Sequence, residues 1–314
     1  PFSDKLVCRA LIKHGLITKD QAKEIYQKKD RIWEKIEKNK ADRLKNIPAG
    51  VKIINPTTIV DIIVALKFSR ADNPAIELDE DAVFQALAAE WEEPYQKIDP
   101  LDLDLNLVTT TIPRSFAMKH LMLPIGVKSG YLVVATSNPF NAEAIGDINR
   151  VSHMPVKTVV SSKTDIIRLI DEMFGFKRSI AQAEIYFAAP TVDLGNLEQY
   201  VRLKSMDELP ANDQHIVNAV NHLLSYAFDQ RASDIHIEPK RERLLVRMRI
   251  DGVLHTVYKL PKKVHSAIVS RIKNLARMDM AEKRKPQDGR IKTDKGDVEV
   301  EIRVSTIPVA FGEK

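Results

Sequence analysis

The chain has 314 residues, 44% of them hydrophobic, with 48 Lys/Arg against 43 Asp/Glu and a formal charge of +5. That length suits two or three domains at the usual ~100–200 residues each, and the mild positive charge permits an anionic partner without calling for nucleic acid. A single cysteine, Cys8, excludes a disulfide framework or a cysteine zinc cluster and fits a reducing compartment. The longest apolar runs, such as 131–135, fall far short of the ~20 residues a membrane span needs. The opening PFSDKLVCRALIKHG has no long apolar core or cleavage site, so no signal peptide is expected.

In chain order, residues 5–29 read as two short helices, the first stopped by Gly15 and the second capped by Thr18. Residues 28–45 mix both charge signs around Trp33, Ile36 and Leu44, the pattern of a solvated helix with ion pairs one turn apart. After the break at 48–50, residues 57–68 and 79–91 have amphipathic helical spacing. Residues 121–127 and 131–136 form a hairpin over Lys128-Ser-Gly130. Asn141 caps a helix reaching to about 151. Residues 156–160 are a third strand, and 163–174 a closing helix ended by Gly175. This is a compact α/β domain without a catalytic constellation. Residues 176–210 lack sustained periodicity and read as a linker. From Asn212 the helical stripe returns with Ile216, Ala219, Val220, Leu223 and Leu224.

The stretch 232–252, ASDIHIEPKRERLLVRMRIDG, says most about function. Asp234, His236 and Glu238 alternate with Ile235 and Ile237, the period of a half-buried strand. Residues 244–250 alternate again, with Leu245, Arg247 and Arg249 opposite Leu244, Val246, Met248 and Ile250. Asp251-Gly252 is a hairpin signal, and 253–258 returns as a third strand. The expected product is an antiparallel meander with one apolar face and one face carrying two arginines. A guanidinium fork on a rigid strand suits a phosphate or carboxylate. Asp234, His236 and Glu238 stand ~6.6 Å apart in succession along their strand. No further ligand is evident beside them, so no metal site is assigned, and no Ser/His/acid pairing is tied together by spacing.

Residues 261–280 then read as a helix whose exposed side is basic. Between 261 and 290 stand nine Lys/Arg against three Asp/Glu. Residues 286–289 read as a turn, and 290–292 with 297–304 as a closing hairpin. Only Tyr258 lies in this basic region, where nucleic-acid binding would call for stacking platforms, so no nucleic acid is expected.

The runs ASDIHIEP, VRMRIDGVL, MAEKRKPQDGRI and EIRVSTIP…GEK, in this order, closely resemble the secretion ATPases of the type II secretion and type IV pilus assembly family. Residues 76–175, with DAVFQALAAEWEEPYQKIDP and MLPIGVKSGYLVVATSNPFN, resemble that family's N-terminal domain. The family's motor core needs a Gly-x-x-x-x-Gly-Lys-Ser/Thr phosphate loop. No Gly of this chain is followed by Lys, so the sequence reads as an N-terminal region of such an ATPase without its hydrolytic machinery.

The resemblance implies an α/β (α+β) chain in four parts: a helical module at 1–50, a docking domain at 51–175, a linker at 176–210, and a PAS-like antiparallel-sheet domain flanked by helices at 211–314. It implies a cytoplasmic hexamer at the inner face of the bacterial inner membrane. Its partners would be a platform protein of that membrane, its own ATPase core and neighbouring subunits. ATP and Mg would be held by the full-length protein and not by this fragment. Arg247 and, less directly, Arg249 take the role of reaching the terminal phosphate, with Lys262, Arg271, Arg284 and Arg290 as further members of the same anionic surface. The other reading of the arginine pair is a salt-bridged strand face. An alternative function, a regulatory module for cyclic di-GMP, falls on the N-terminal helices at Lys5, Leu6 and Arg9. There the family's Arg-Leu-Gly pattern is replaced by Lys5-Leu6-Val7.

Overall fold

The computed structural model describes residues 3–44, 56–188, 213–295 and 298–314. They divide into two compact units, Pro1–Met173 and Phe174–Lys314.

The first unit opens with α1 (Asp4–Lys13) and α2 (Lys19–Leu44). Gly15, at φ +70°, takes the left-handed conformation that ends α1 cheaply. Thr18 and Gln21 then cap α2 reciprocally. Gln21 N donates to Thr18 Oγ1 at 3.1 Å and Thr18 N to Gln21 Oε1 at 2.7 Å. The second short helix and the charged segment after it are one helix of 26 residues. Helices α3 (Ile59–Ala65) and α4 (Glu80–Glu90) are capped by Thr58 and Asp79. Val7, Leu11, Ile25, Ile63 and Leu87 meet in one core, so residues on both sides of position 50 pack together.

Two short helices, α5 (Leu105–Thr111) and α6 (Arg114–His120), come next and were not legible as periodic segments. Each spans only seven residues, and in α5 the three threonines bond back to carbonyls one turn earlier. Strand β1 (Met122–Lys128) pairs antiparallel with β2 (Tyr131–Thr136) through Ser129 and Gly130, both at positive φ. Helix α7 (Ala142–Ser152) crosses over to β3 (Val156–Val160), parallel to β2.

Helix α8 (Lys163–Ala188) corrects one expectation: it does not end at Gly175. Its buried stripe of Ile166, Ile170, Met173, Phe176, Ile180 and Ala183 runs through the glycine without a break. A lone glycine costs a helix interior only about 1 kcal/mol, which continuous burial outweighs. Phe176 belongs to this helix rather than to a linker, while 189–210 lies outside the described residues.

The second unit continues with α9 (Gln214–Asp229), capped by Asp213. The meander follows: β4 (Asp234–Pro239), β5 (Arg243–Ile250) and β6 (Val253–Pro261), in sheet order β4-β5-β6. Asp251 and Gly252, at φ 49° and 81°, supply the expected two-residue hairpin. Leu244, Val246, Met248 and Ile250 are buried, and the residues between them are not. Helix α10 (His265–Leu275) packs against α9. Strands β7 (Gln287–Lys295) and β8 (Val298–Thr306) form a separate two-stranded sheet, and β9 (Pro308–Val309) pairs with β10 (Gly312–Glu313).

The expected turn at 286–289 gives way to the start of β7. Gly289 serves close approach instead, since a Cβ there would stand 2.5 Å from the Ala276 carbonyl oxygen. The whole is a mixed α/β chain with antiparallel sheets and flanking helices in its second unit.

Candidate functional site

The polar face of the meander is set by register. His236 lies opposite Arg247 and Asp234 opposite Arg249, so acids and arginines that alternate along their own strands meet across β4 and β5. The two arginines then part company. Arg249 is held at both ends, Nε 3.0 Å from Asp234 Oδ2 and Nη1 donating to the Gly252 carbonyl at 3.3 Å. Hydrogen bonds from Ser233 and Arg249 hold the Asp234 carboxyl below the ordinary aspartate range.

Arg247 reaches Glu238 instead, at 3.5 Å, and shares that carboxylate with Lys240 at 3.1 Å and Lys314 at 3.3 Å. Glu238 is only 7% exposed. Burial works against its charge, but Lys240 and Lys314 more than offset this and leave its carboxyl below the ordinary glutamate range. Three cations on one carboxylate leave a local surplus of positive charge, with Arg247 and both lysines still partly exposed. This arrangement can hold an oxyanion by charge and by guanidinium hydrogen bonds.

The remaining basic residues take other tasks. Lys262 Nζ donates to the Phe311 carbonyl, and burial lowers its pKa. Arg271 is half-buried on α10, with Nε buried and without a partner among the described residues. Arg284 lies near Glu282 at 3.5 Å in the segment after α10, and Arg290 pairs with Glu301 at 2.9 Å across β7 and β8. The structure therefore gathers Arg247, Lys240 and Lys314 around Glu238 and gives Arg249, Arg284 and Arg290 separate acidic partners. Sequence reasoning missed Lys240, Lys314 and the role of Glu238. Only register and the fold bring residue 314 to residue 238.

Below this face an aromatic cluster closes the core. The His222 ring stacks on Phe176 at 4.4 Å, and His222 Nε2 lies 2.9 Å from Tyr258 Oη. Burial drives the His222 pKa down to about 4. In the first unit, Lys5, Leu6 and Arg9 share the exposed side of α1, while Val7 and Cys8 are buried. Among the described residues, no group of three His, Cys, Asp or Glu is placed to hold a metal ion, and no helix is long and apolar enough to cross a membrane.

Comparison with known proteins agrees with these motifs. Residues 210–314 match the family model described as type II/IV secretion system protein, and residues 91–180 match the MshEN domain. The type IV pilus assembly ATPase TfpB of Acinetobacter baylyi is 39% identical over 73% of this chain and 40% of its own length. The type IV pilus assembly ATPase PilB of Myxococcus xanthus is 32% identical over 76% of this chain and 42% of its own. The type II secretion system protein E of Xanthomonas campestris is 34% identical over 63% and 34%. The chain belongs to the type II secretion and type IV pilus assembly ATPase family and matches an N-terminal region of it. It spans about two fifths of the length of the first two of these curated relatives.

Proposed function

We propose that this chain is the N-terminal part of a cytoplasmic hexameric ATPase, at the inner face of the bacterial inner membrane, that powers type II secretion or type IV pilus assembly. In this reading the first unit docks the motor to an inner-membrane platform protein. The second unit presents Arg247 toward the terminal phosphate of the nucleotide held by the motor core. The observation that carries the reading is the Arg247 guanidinium: it is half-exposed, faces away from the apolar core, and shares a buried carboxylate with two lysines.

The residues of this chain do not themselves fit ATP and Mg. They contain no phosphate loop, so the nucleotide belongs to the full-length protein. When bound there it supplies the phosphoryl group to be transferred. This chain's contribution is charge beside it. Arginines supplied in this way can be worth ~10³–10⁵ in rate, and a smaller effect is expected where core residues share the task.

The test is turnover of the full-length hexamer carrying Arg247→Ala. A loss of turnover with the thermal melt of the second unit unchanged supports the role. Unchanged turnover leaves Arg247 as a strand salt bridge.

A second reading, a regulatory cyclic di-GMP site, is favoured by one observation: Lys5, Leu6 and Arg9 share a solvent-facing side of α1. Calorimetric titration of the chain with cyclic di-GMP, repeated with Arg9→Ala, decides it. Heat that saturates and is lost in the variant supports the site, and no saturable heat ends the reading.

A further inference from the structure

The segment between α10 and β7 has no regular secondary structure, yet it is cross-braced. Lys273, fully buried on α10, donates through Nζ to the Glu282 carbonyl at 2.6 Å. Gln287, at the start of β7, donates through Nε2 to the Asp279 and Glu282 carbonyls at 3.0 and 2.9 Å and accepts from Asp279 N at 2.9 Å. Asp279 Oδ1 accepts from Ala281 N at 2.9 Å, and Glu282 Oε1 from Arg284 N at 2.7 Å. Both acids of the loop are thus turned to its own amides. Its four cations, Arg277, Lys283, Arg284 and Lys285, are exposed. The Arg284 guanidinium lies 3.5 Å from Glu282, but its side chain is 89% exposed. A loop braced in this way loses little freedom on binding, which suits it to a specific contact.

A surface of opposite charge stands on the same chain. Residues 90–104 of the first unit, EWEEPYQKIDPLDLD, carry six Asp/Glu against Lys97 alone. Lys97 is engaged elsewhere, with Asp165 at 2.6 Å and with Asp81, and Glu90 is taken by Lys13 at 2.6 Å. Asp99, Asp102 and Asp104 are exposed on the turn that leads into α5. Asp99 Oδ1 accepts from Leu101 N and Asp104 Oδ1 from Leu107 N, each at 2.9 Å, so capping fixes both carboxylates. Asp102 closes the single 3-10 turn that Asp99 caps, where residues three apart lie on one side. None of the three is in an ion pair among the described residues.

We propose that the basic loop 277–285 of one copy docks on the acidic turn 99–104 of a second copy. A contact in which either patch met its own like would set equal charges against each other and is disfavoured. Two different and complementary patches on one chain instead give a head-to-tail contact, the kind that closes into a ring. The contact stands on these two surfaces, and only its place in a hexamer rests on the function proposed above.

Sedimentation of the 314-residue chain at about 0.1 M and about 1 M salt tests it, because the Debye length falls from ~10 Å to ~3 Å over that range. Association is expected at the lower salt and its loss at the higher. Lys285 and Asp102 take part in none of the side-chain bonds above, so reversing them leaves the bracing and the caps in place. Lys285→Glu and Asp102→Lys are each expected to weaken association at least about tenfold, since like charges then face each other. An equimolar mixture of the two variants is expected to restore it, because each reversed loop finds a reversed turn on the other variant. A mixture as weak as either variant alone overturns the proposal; a contact made within one chain gives that result, since mixing cannot repair it. A wild-type chain that stays monomeric at the lower salt, or association that both folded variants keep, overturns it as well. Turnover of the Arg247→Ala hexamer is read separately, so the two ideas fail independently.

Discussion

The two units treat the edge of a sheet differently. In the first, the outer edge of β3 is covered by residues 94–96: Val160 N donates to the Pro94 carbonyl at 2.8 Å and Gln96 N to the Val160 carbonyl at 2.9 Å. Ser161 Oγ adds a hydrogen bond to the Gln96 carbonyl at 2.6 Å across 65 residues of sequence, so this edge is closed by the tertiary fold and not by a local connection. In the second, β4 faces a groove whose other wall is formed by residues 300–307.

Buried charge sharpens the contrast. Each unit has a lysine and a carboxylate paired inside it: Lys163–Asp61 at 2.8 Å with side chains 8% and 24% exposed, and Lys273–Glu313 at 2.7 Å with 1% and 8%. The second pair sits in the drier site and anchors the turn at Glu313 to α10.

The largest expected effect comes from Met248→Asp. Met248 is fully buried on the apolar face of β5, and an unpaired carboxylate there belongs to the substitutions costing above about 4 kcal/mol. Calorimetry should lose the transition of the second unit and keep that of the first. Loss of both transitions would show that the units do not fold independently.

Lys273→Ala follows at roughly 3–5 kcal/mol, the cost of stranding one partner of a buried ion pair. Lys163→Ala should cost less, because Asp61 regains water more easily. Equal losses in denaturant titrations of the two variants would erase the distinction between the pairs.

The pH dependence of the second unit should come next. His222 is held neutral by burial, with a folded pKa of about 4 against about 6.5 when unfolded. The unfolded chain therefore takes up the proton first. Stability from this residue is complete above about pH 6.5, falls as pH drops toward 4, and changes no further below that. Linkage puts the loss on the order of 3 kcal/mol. His222→Phe, which keeps the ring stack on Phe176, should flatten the melting temperature of the second unit between pH 7 and 5. An unchanged slope would assign the titration elsewhere.

The smallest effect belongs to Arg290→Ala. Its pair with Glu301 has side chains 62% and 38% exposed, and surface pairs of this kind contribute roughly 0–1 kcal/mol. A larger loss on chemical denaturation would mean that β7 and β8 lean on this pair more than the exposure indicates.

Local pattern alone determined much of this chain. Period-two alternation set the meander, with Met248 inside and Arg247 outside, because a strand's side chains must face alternate sides. Asp251-Gly252 fixed its hairpin, and Thr18 and Asn141 marked helix starts by their capping chemistry. The ordered motifs fixed the family. Where burial overrides a local signal, the sequence misled: Gly175 reads as a stop but sits in a stripe buried on both sides of it, and Gly289 reads as a turn but is needed for contact with Ala276. Tertiary structure alone decided which cation meets which carboxylate. Lys314 reaches Glu238 and Lys273 reaches Glu313 across 76 and 40 residues, and side-chain pairing at that separation is set by packing, which no local periodicity encodes. The open groove between β4 and β8 is of the same kind. Each strand is legible by itself, but whether two edges meet depends on how the intervening helix and turns are packed.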